Sequence, residues 1–205
     1  MWRGRRVTFD LPPVTATVLI LFVWLSSPLL LASLLCAAIL HELGHLTVLR
    51  LFGGRVSHLS ISPFGAELTV ANGQRLSYGA EILSTLAGPA VNLAFALILS
   101  LLGARWDEAY VFAGAQLVLG LFNLIPARPL DGGRILWLVI AWITEPFTAD
   151  RVVFFTSVLF AAALLILGAA VLIRTGKSPF LLLAAFGVLA AVLREKGLVK
   201  RPPAR

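Results

Sequence analysis

The sequence predicts an all-α polytopic membrane protein of about six transmembrane helices, with a short interfacial β-hairpin region between the second and third spans. Three observations predict it. Of the 205 residues, 59% are hydrophobic and 13% charged, against about 25% charged in a soluble domain. The apolar residues gather into runs close to the roughly 20 that a helix needs to cross a bilayer. The stretch from Gly53 to Ala80 breaks this habit and alternates instead.

The runs lie at 14–27, 29–52, 82–103, 109–126, 152–173 and 178–193. The first and last are short for a straight crossing. Met1-Trp-Arg-Gly-Arg-Arg6 ahead of an apolar run looks like a signal peptide, but without a small-residue cleavage site it reads as the flank of a retained first span. After the second run, Leu59 and Ile61 alternate with Ser60 and Ser62. Pro63-Phe64-Gly65 interrupts, and Ala66, Leu68 and Val70 then alternate with Glu67 and Thr69. That is a β-hairpin pattern, with a second turn signal at Asn72-Gly73. Open strand edges cannot face hydrocarbon, so the hairpin is expected in the interface or against the helices. Residues 134–146 are apolar and Trp-rich but too short to span, and read as a half-buried helix continuing from the fourth run. No polar stretch reaches the roughly 50 residues at which soluble domains begin, so residues 1–205 read as one membrane domain with its core at 10–195. The basic tail from Arg194 reads as a solvated end.

The formal charge of +7 could suggest nucleic acid, yet the basic residues sit at the ends of apolar runs with no basic face, which excludes that partner. Topology accounts for them better. Of 17 Lys and Arg, three (Arg105, Arg174, Lys177) fall in loops on one side and the other 14 on the side of both termini. The positive-inside rule makes both termini cytoplasmic. Cys36 is the only cysteine, so neither an intrachain disulfide nor a multi-thiolate metal site can form.

Inside the second run stands His41-Glu42-Leu43-Gly44-His45. An ionisable group at mid-membrane costs about 2.5–3.5 kcal/mol on insertion scales, so three together mark a functional site. On a helix His41 and His45 share one face, as two imidazoles binding one Zn²⁺ ion must. Glu42 lies beside them, where a carboxylate can act as general base toward water. A catalytic zinc takes three protein ligands and keeps one position open. Asp131 is the candidate third ligand, in Asn123-Leu-Ile-Pro-Ala-Arg-Pro-Leu-Asp131-Gly132-Gly133 after the fourth run. His45 is about seven residues, roughly 10 Å, from the cytoplasmic end of its span, so both lie toward the cytoplasmic face. Pro126 and Pro129 bar a regular helix between Asn123 and Asp131, and Gly132-Gly133 is expected to make a sharp turn.

His41-Glu42-Leu-Gly-His45, Gly88-Pro89-Ala-Val-Asn92 and Asn123-x-x-Pro-x-x-Pro-Leu-Asp131-Gly together resemble the site-2 proteases, intramembrane zinc metalloproteases. Their order and the Pro-Phe-Gly hairpin most resemble the stage IV sporulation protein FB branch. The resemblance covers most of residues 10–195. It implies one zinc per chain on His41, His45 and Asp131, Glu42 as catalytic base, and a membrane-tethered protein substrate, with a sigma-factor precursor in sporulation as one example. It also suggests Asn123 as a group holding the substrate or the oxyanion, and Asn92 more weakly. Relatives often insert a PDZ domain between the motif halves, for which this chain has no room. The sporulation branch commonly adds a cystathionine-β-synthase-type domain that is missing before Arg205. Membrane inhibitory or regulatory proteins are candidate partners. A general signalling protease is the alternative within the family, and an intramembrane metal transporter the alternative outside it. Transporters often carry inverted repeats, which this chain lacks.

Overall fold

The computed structural model describes residues 8–9, 27–54, 56–62, 65–70, 76–103, 106–175, 182, 185–189 and 192. The expected first span lies outside the described residues except for Ser27. Most of the expected last span, the Asn72-Gly73 turn and the basic tail lie outside them too. The chain divides into two compact units, Met1–Asn123 and Leu124–Arg205.

The first unit runs β1 (Thr8–Phe9), α1 (Pro28–Leu51), β2 (Val56–Ser62), β3 (Gly65–Val70), α2 (Tyr78–Leu102) and α3 (Asp107–Asn123). Ser27 starts α1 by accepting from the Leu30 amide at 3.3 Å, with Pro28 in the first turn, where its missing N–H costs nothing. The helix ends where Gly53 takes φ +77°, a conformation that leaves its N–H on the Arg50 carbonyl at 2.9 Å. Ser77 caps α2 in the same way, through the Ala80 amide.

The three helices pack on one another. On α1 the buried residues are Ser33, Ala37, His41, Gly44 and Leu49, one stripe at helical spacing. Leu35, Ile39 and Leu43 point away and are exposed. Small and polar residues inside with large apolar residues outside is the arrangement expected where the surrounding solvent is hydrocarbon. Gly44 permits the close approach, since a Cβ there would lie 2.7 Å from the Ala87 carbonyl oxygen on α2.

β2 and β3 pair antiparallel from Ser62↔Gly65 to Val56↔Val70, with an irregularity near Val56 and His58. β1 joins β2 on its other side, in parallel, through Thr8↔Ser60 and Phe9↔Ile61. The sheet order is therefore β1-β2-β3, and Ser60, paired on both sides, stands in the middle strand. A sequence pattern of two strands could not reveal a third contributed from about 50 residues upstream.

The second unit contains α4 (Asp131–Ile143) and α5 (Pro146–Thr175), packed against each other. Ala149, Val153, Ser157 and Ala161 form the fully buried stripe of α5. Three described helices are long and apolar enough to cross a membrane, namely Pro28–Leu51, Tyr78–Leu102 and Pro146–Arg174. α3 has 17 residues, about 25 Å at 1.5 Å per residue, against a hydrocarbon core of about 30 Å. The segment expected to continue the fourth span is instead a separate 13-residue helix, α4, parted from α3 by residues 124–130. Pro126 and Pro129 supply the break, because each lacks the N–H that would carry the helix on.

Candidate metal centre

α1 carries His41, Glu42 and, one turn further on, His45, and groups of α2 hold the rings. His41 is buried, and its Nδ1 lies 2.6 Å from Asn92 Oδ1. The fully buried Asn92 amide can point only one way. Its Nδ2 faces the Ala37 carbonyl at 3.1 Å and Gln116 Oε1 at 2.5 Å, both acceptors, so Nδ2 donates and Oδ1 must accept. The proton between His41 and Asn92 is consequently on Nδ1. The same logic fixes His45, whose Nδ1 donates to the Ser84 carbonyl at 2.9 Å. A neutral imidazole with its proton on Nδ1 presents a bare lone pair at Nε2.

Those two Nε2 atoms face each other at 3.1 Å, with the rings at 88°. With both rings neutral, as metal ligation requires, neither Nε2 carries a proton, and two lone pairs at this separation repel unless a cation lies between them. Two nitrogens about 2.0–2.1 Å from one tetrahedral ion stand about 3.3 Å apart, so the gap fits a zinc-sized ion. The donors behind the rings are the outer partners that ligating histidines ordinarily have.

Gly88 completes the pocket floor. A Cβ there would run into His45 Nε2 and Cε1 and into His41 Cε1, so the rings rest on bare backbone. One residue on, the buried Pro89 leaves out the N–H that Thr85 would accept in the turn beside the Ser84 carbonyl. Glu42 is half-buried, with its Oε2 shielded from solvent.

In the second unit, Asp131 is half-buried in the first turn of α4, where the positive end of the helix dipole favours its carboxylate. Gly132 and Gly133 do not form the expected turn after it. They lie inside the helix, and a Cβ would strike the Leu124 and Ile125 carbonyls at Gly132 and the Ala127 and Arg128 backbone at Gly133. Glycine is required here because the loop folds back onto the helix start. Leu130 N–H to the Ala127 carbonyl at 2.9 Å and Arg128 N–H to Ser157 Oγ at 2.9 Å hold that loop. On its exposed side Asp150 Oδ1 accepts from Arg128 at 2.7 Å and from Trp137 Nε1 at 2.8 Å.

Asn92, the weaker candidate for substrate or oxyanion, has no exposed surface and meets His41 at Nδ1, the nitrogen turned from Nε2. Asn123 ends α3, half-buried, with its Nδ2 donating to the Leu119 carbonyl at 3.1 Å. Gln116 is not among the residues the sequence singles out, although an amide in the middle of the apolar 109–126 run is the kind of cost that marks function. The Ser84 carbonyl carries no sequence signal at all.

The Peptidase M50B-like family profile matches residues 14–149, a stretch that contains every candidate site residue. A zinc metalloprotease of Methanocaldococcus jannaschii is 32% identical over 115 residues, 53% of this chain and 33% of the relative. Stage IV sporulation protein FB of Bacillus subtilis is 30% identical over 115 residues, 53% of this chain and 39% of the relative. The similarity thus spans little more than a third of these relatives' own lengths. In three dimensions the chain superposes on the site-2 protease from M. jannaschii with a TM-score of 0.73 at 22% identity, covering 100% of this chain and 98% of that one. That likeness concerns the fold. With the profile spanning well over half of the 205 residues and both halves of the motif set, the chain belongs to the Peptidase M50B-like family.

Proposed function

We propose that the chain is an intramembrane zinc metalloprotease that hydrolyses a peptide bond in or near a membrane segment of a tethered protein. The observation that carries this reading is the pair of Nε2 lone pairs 3.1 Å apart beside Glu42, with both Nδ1 protons already committed. Zinc would be held by His41, His45 and Asp131, a set of residues able to offer three ligand atoms. When bound, zinc supplies Lewis-acid polarisation of the scissile carbonyl and lowers the pKa of water.

The chain's own residues do the rest. Asn92 and Ser84 keep both imidazoles in the metal-facing tautomer. The Glu42 carboxylate takes one proton from the attacking water as the carbon–oxygen bond forms, and returns it to the departing nitrogen as the carbon–nitrogen bond breaks. Asn123 Nδ2 has a second hydrogen that can donate to the carbonyl oxygen as its charge grows. A helical substrate must unwind first, and the border strand β3 offers a backbone edge along which it could extend. Six spans, cytoplasmic termini and a site toward the cytoplasmic face agree with the 14-to-3 partition of basic residues. The similarity to the sporulation protein favours a precursor processed in sporulation, with a sigma-factor precursor as the finer expectation.

The test is cleavage of a membrane-tethered peptide by purified, zinc-loaded protein. Glu42→Gln should abolish cleavage while leaving bound zinc at one per chain. Undiminished turnover in that variant would end the proposal.

A further inference from the structure

Gln116 is fully buried at mid-α3, and its Oε1 accepts from Asn92 Nδ2 at 2.5 Å. Its own Nε2 has no hydrogen-bond partner among the described residues. A buried donor left without a partner is a cost that a leucine or methionine of similar size would not incur. Packing alone therefore does not account for glutamine here; the engaged oxygen does.

That oxygen bears on the metal site through one intermediary. Turning the Asn92 amide over would set Oδ1 against the Ala37 carbonyl and Nδ2 against His41 Nδ1. The Ala37 carbonyl thus sets which way the amide points, and the bond to Gln116 Oε1 holds the amide in place at His41 Nδ1. We infer that Gln116 is a positioning residue for the metal site, anchoring the Asn92 amide that makes His41 present its Nε2 lone pair. The inference rests on reading His41 and His45 as metal ligands. The relay crosses three helices, from α3 through α2 to α1, and lies wholly within the first unit.

Zinc affinity of the full-length protein in detergent, measured by competition with a chelator and no substrate, tests the relay. Loss of an outer partner ordinarily weakens a metal site about 10–100-fold, which is the expectation for Asn92→Ala. Gln116→Met, which keeps the volume and removes the acceptor, should weaken zinc about tenfold. In the Asn92→Ala background it should weaken zinc no further, because Gln116 acts only through that amide. Gln116→Glu keeps an oxygen at the same place and should bind within about twofold of wild type, which also decides the matter where the methionine variant does not fold. A purely structural role would lower the unfolding temperature of the metal-free protein and leave zinc affinity alone. Wild-type affinity in Gln116→Met, losses that multiply in the double variant, or a tenfold loss in Gln116→Glu would each overturn the relay. Wild-type protein that binds no zinc would overturn the protease reading with it.

Discussion

The histidine helix and the aspartate loop fix their functional side chains by opposite means. His41 and His45 stand on an uninterrupted helix, and their rings are oriented by groups reaching in from neighbours, the Asn92 amide and the Ser84 carbonyl. Asp131 follows seven residues without regular structure, and its backbone is located where side chains are missing, at Gly132 and Gly133 against the loop's own carbonyls. One arrangement depends on what neighbours add, the other on what the chain leaves out. The failures should differ accordingly. Losing a buried hydrogen-bond partner costs about 1–3 kcal/mol and leaves the backbone in place. A Cβ thrust into backbone carbonyls cannot be relieved by any rotamer and must move the chain.

Among variants of the residues that position the site, the largest effect is expected at Gly132→Ala, whose methyl would meet the Leu124 and Ile125 carbonyls. Displacing a reacting group by about 1 Å can cost about 10²-fold in rate, so cleavage of a tethered peptide should fall at least that far. Bound zinc per chain should fall with it if Asp131 is the third ligand. Wild-type cleavage by Gly132→Ala would remove the contrast, since the loop would then be free to yield.

The sequence makes these two sides unequally visible. His41, Glu42 and His45 are legible because helical spacing puts both histidines on one face, and burying charge in lipid demands a reason. Asp131 is legible as one of few acids near a span, following the fourth run toward the same face as His45. The role of Gly132-Gly133 is hidden in the sequence because glycine reads first as conformational freedom, and its other use, close backbone approach, needs the position of a partner segment. The partner of Asn92 is illegible for a related reason: an amide in a span announces that it is costly but not which atom it meets. Local alternation predicts a strand pair at 59–70, yet Thr8 and Phe9 pairing with Ser60 and Ile61 is a long-range event no local period records. The three helices with hydropathy and length enough to cross a membrane are the part composition reads best.

Gly88→Ala should rank second. Its added methyl would press on His45 and His41 ring atoms, which can tilt, whereas carbonyls fixed in a loop cannot. Tilting stretches the Nδ1 hydrogen bonds to Ser84 and Asn92, so a drop in zinc affinity of about 10–100-fold is expected, the size seen when outer partners are lost. A metal titration of Gly88→Ala beside Gly132→Ala reads the ordering directly, and a smaller loss in Gly132→Ala would reverse it.

Asp150 sharpens the comparison from the weak end. Its Oδ1 takes both the Arg128 guanidinium and the Trp137 indole N–H, tying the loop before Asp131 to α5 by charge. The Asp150 side chain is 56% exposed and that of Arg128 28%, so water and salt screen the pair. Ion pairs in such settings contribute about 0.2–1 kcal/mol. The Arg128 backbone keeps its separate bond to the buried Ser157 Oγ, and the glycine contacts remain. Asp150→Ala should therefore lower the unfolding temperature by only a few degrees and leave cleavage within about threefold of wild type, as measured on the same tethered peptide. If it silenced cleavage as fully as Gly132→Ala, the loop would be held by charge rather than by close backbone contact, and the contrast between the two regions would rest on less than the glycine contacts imply.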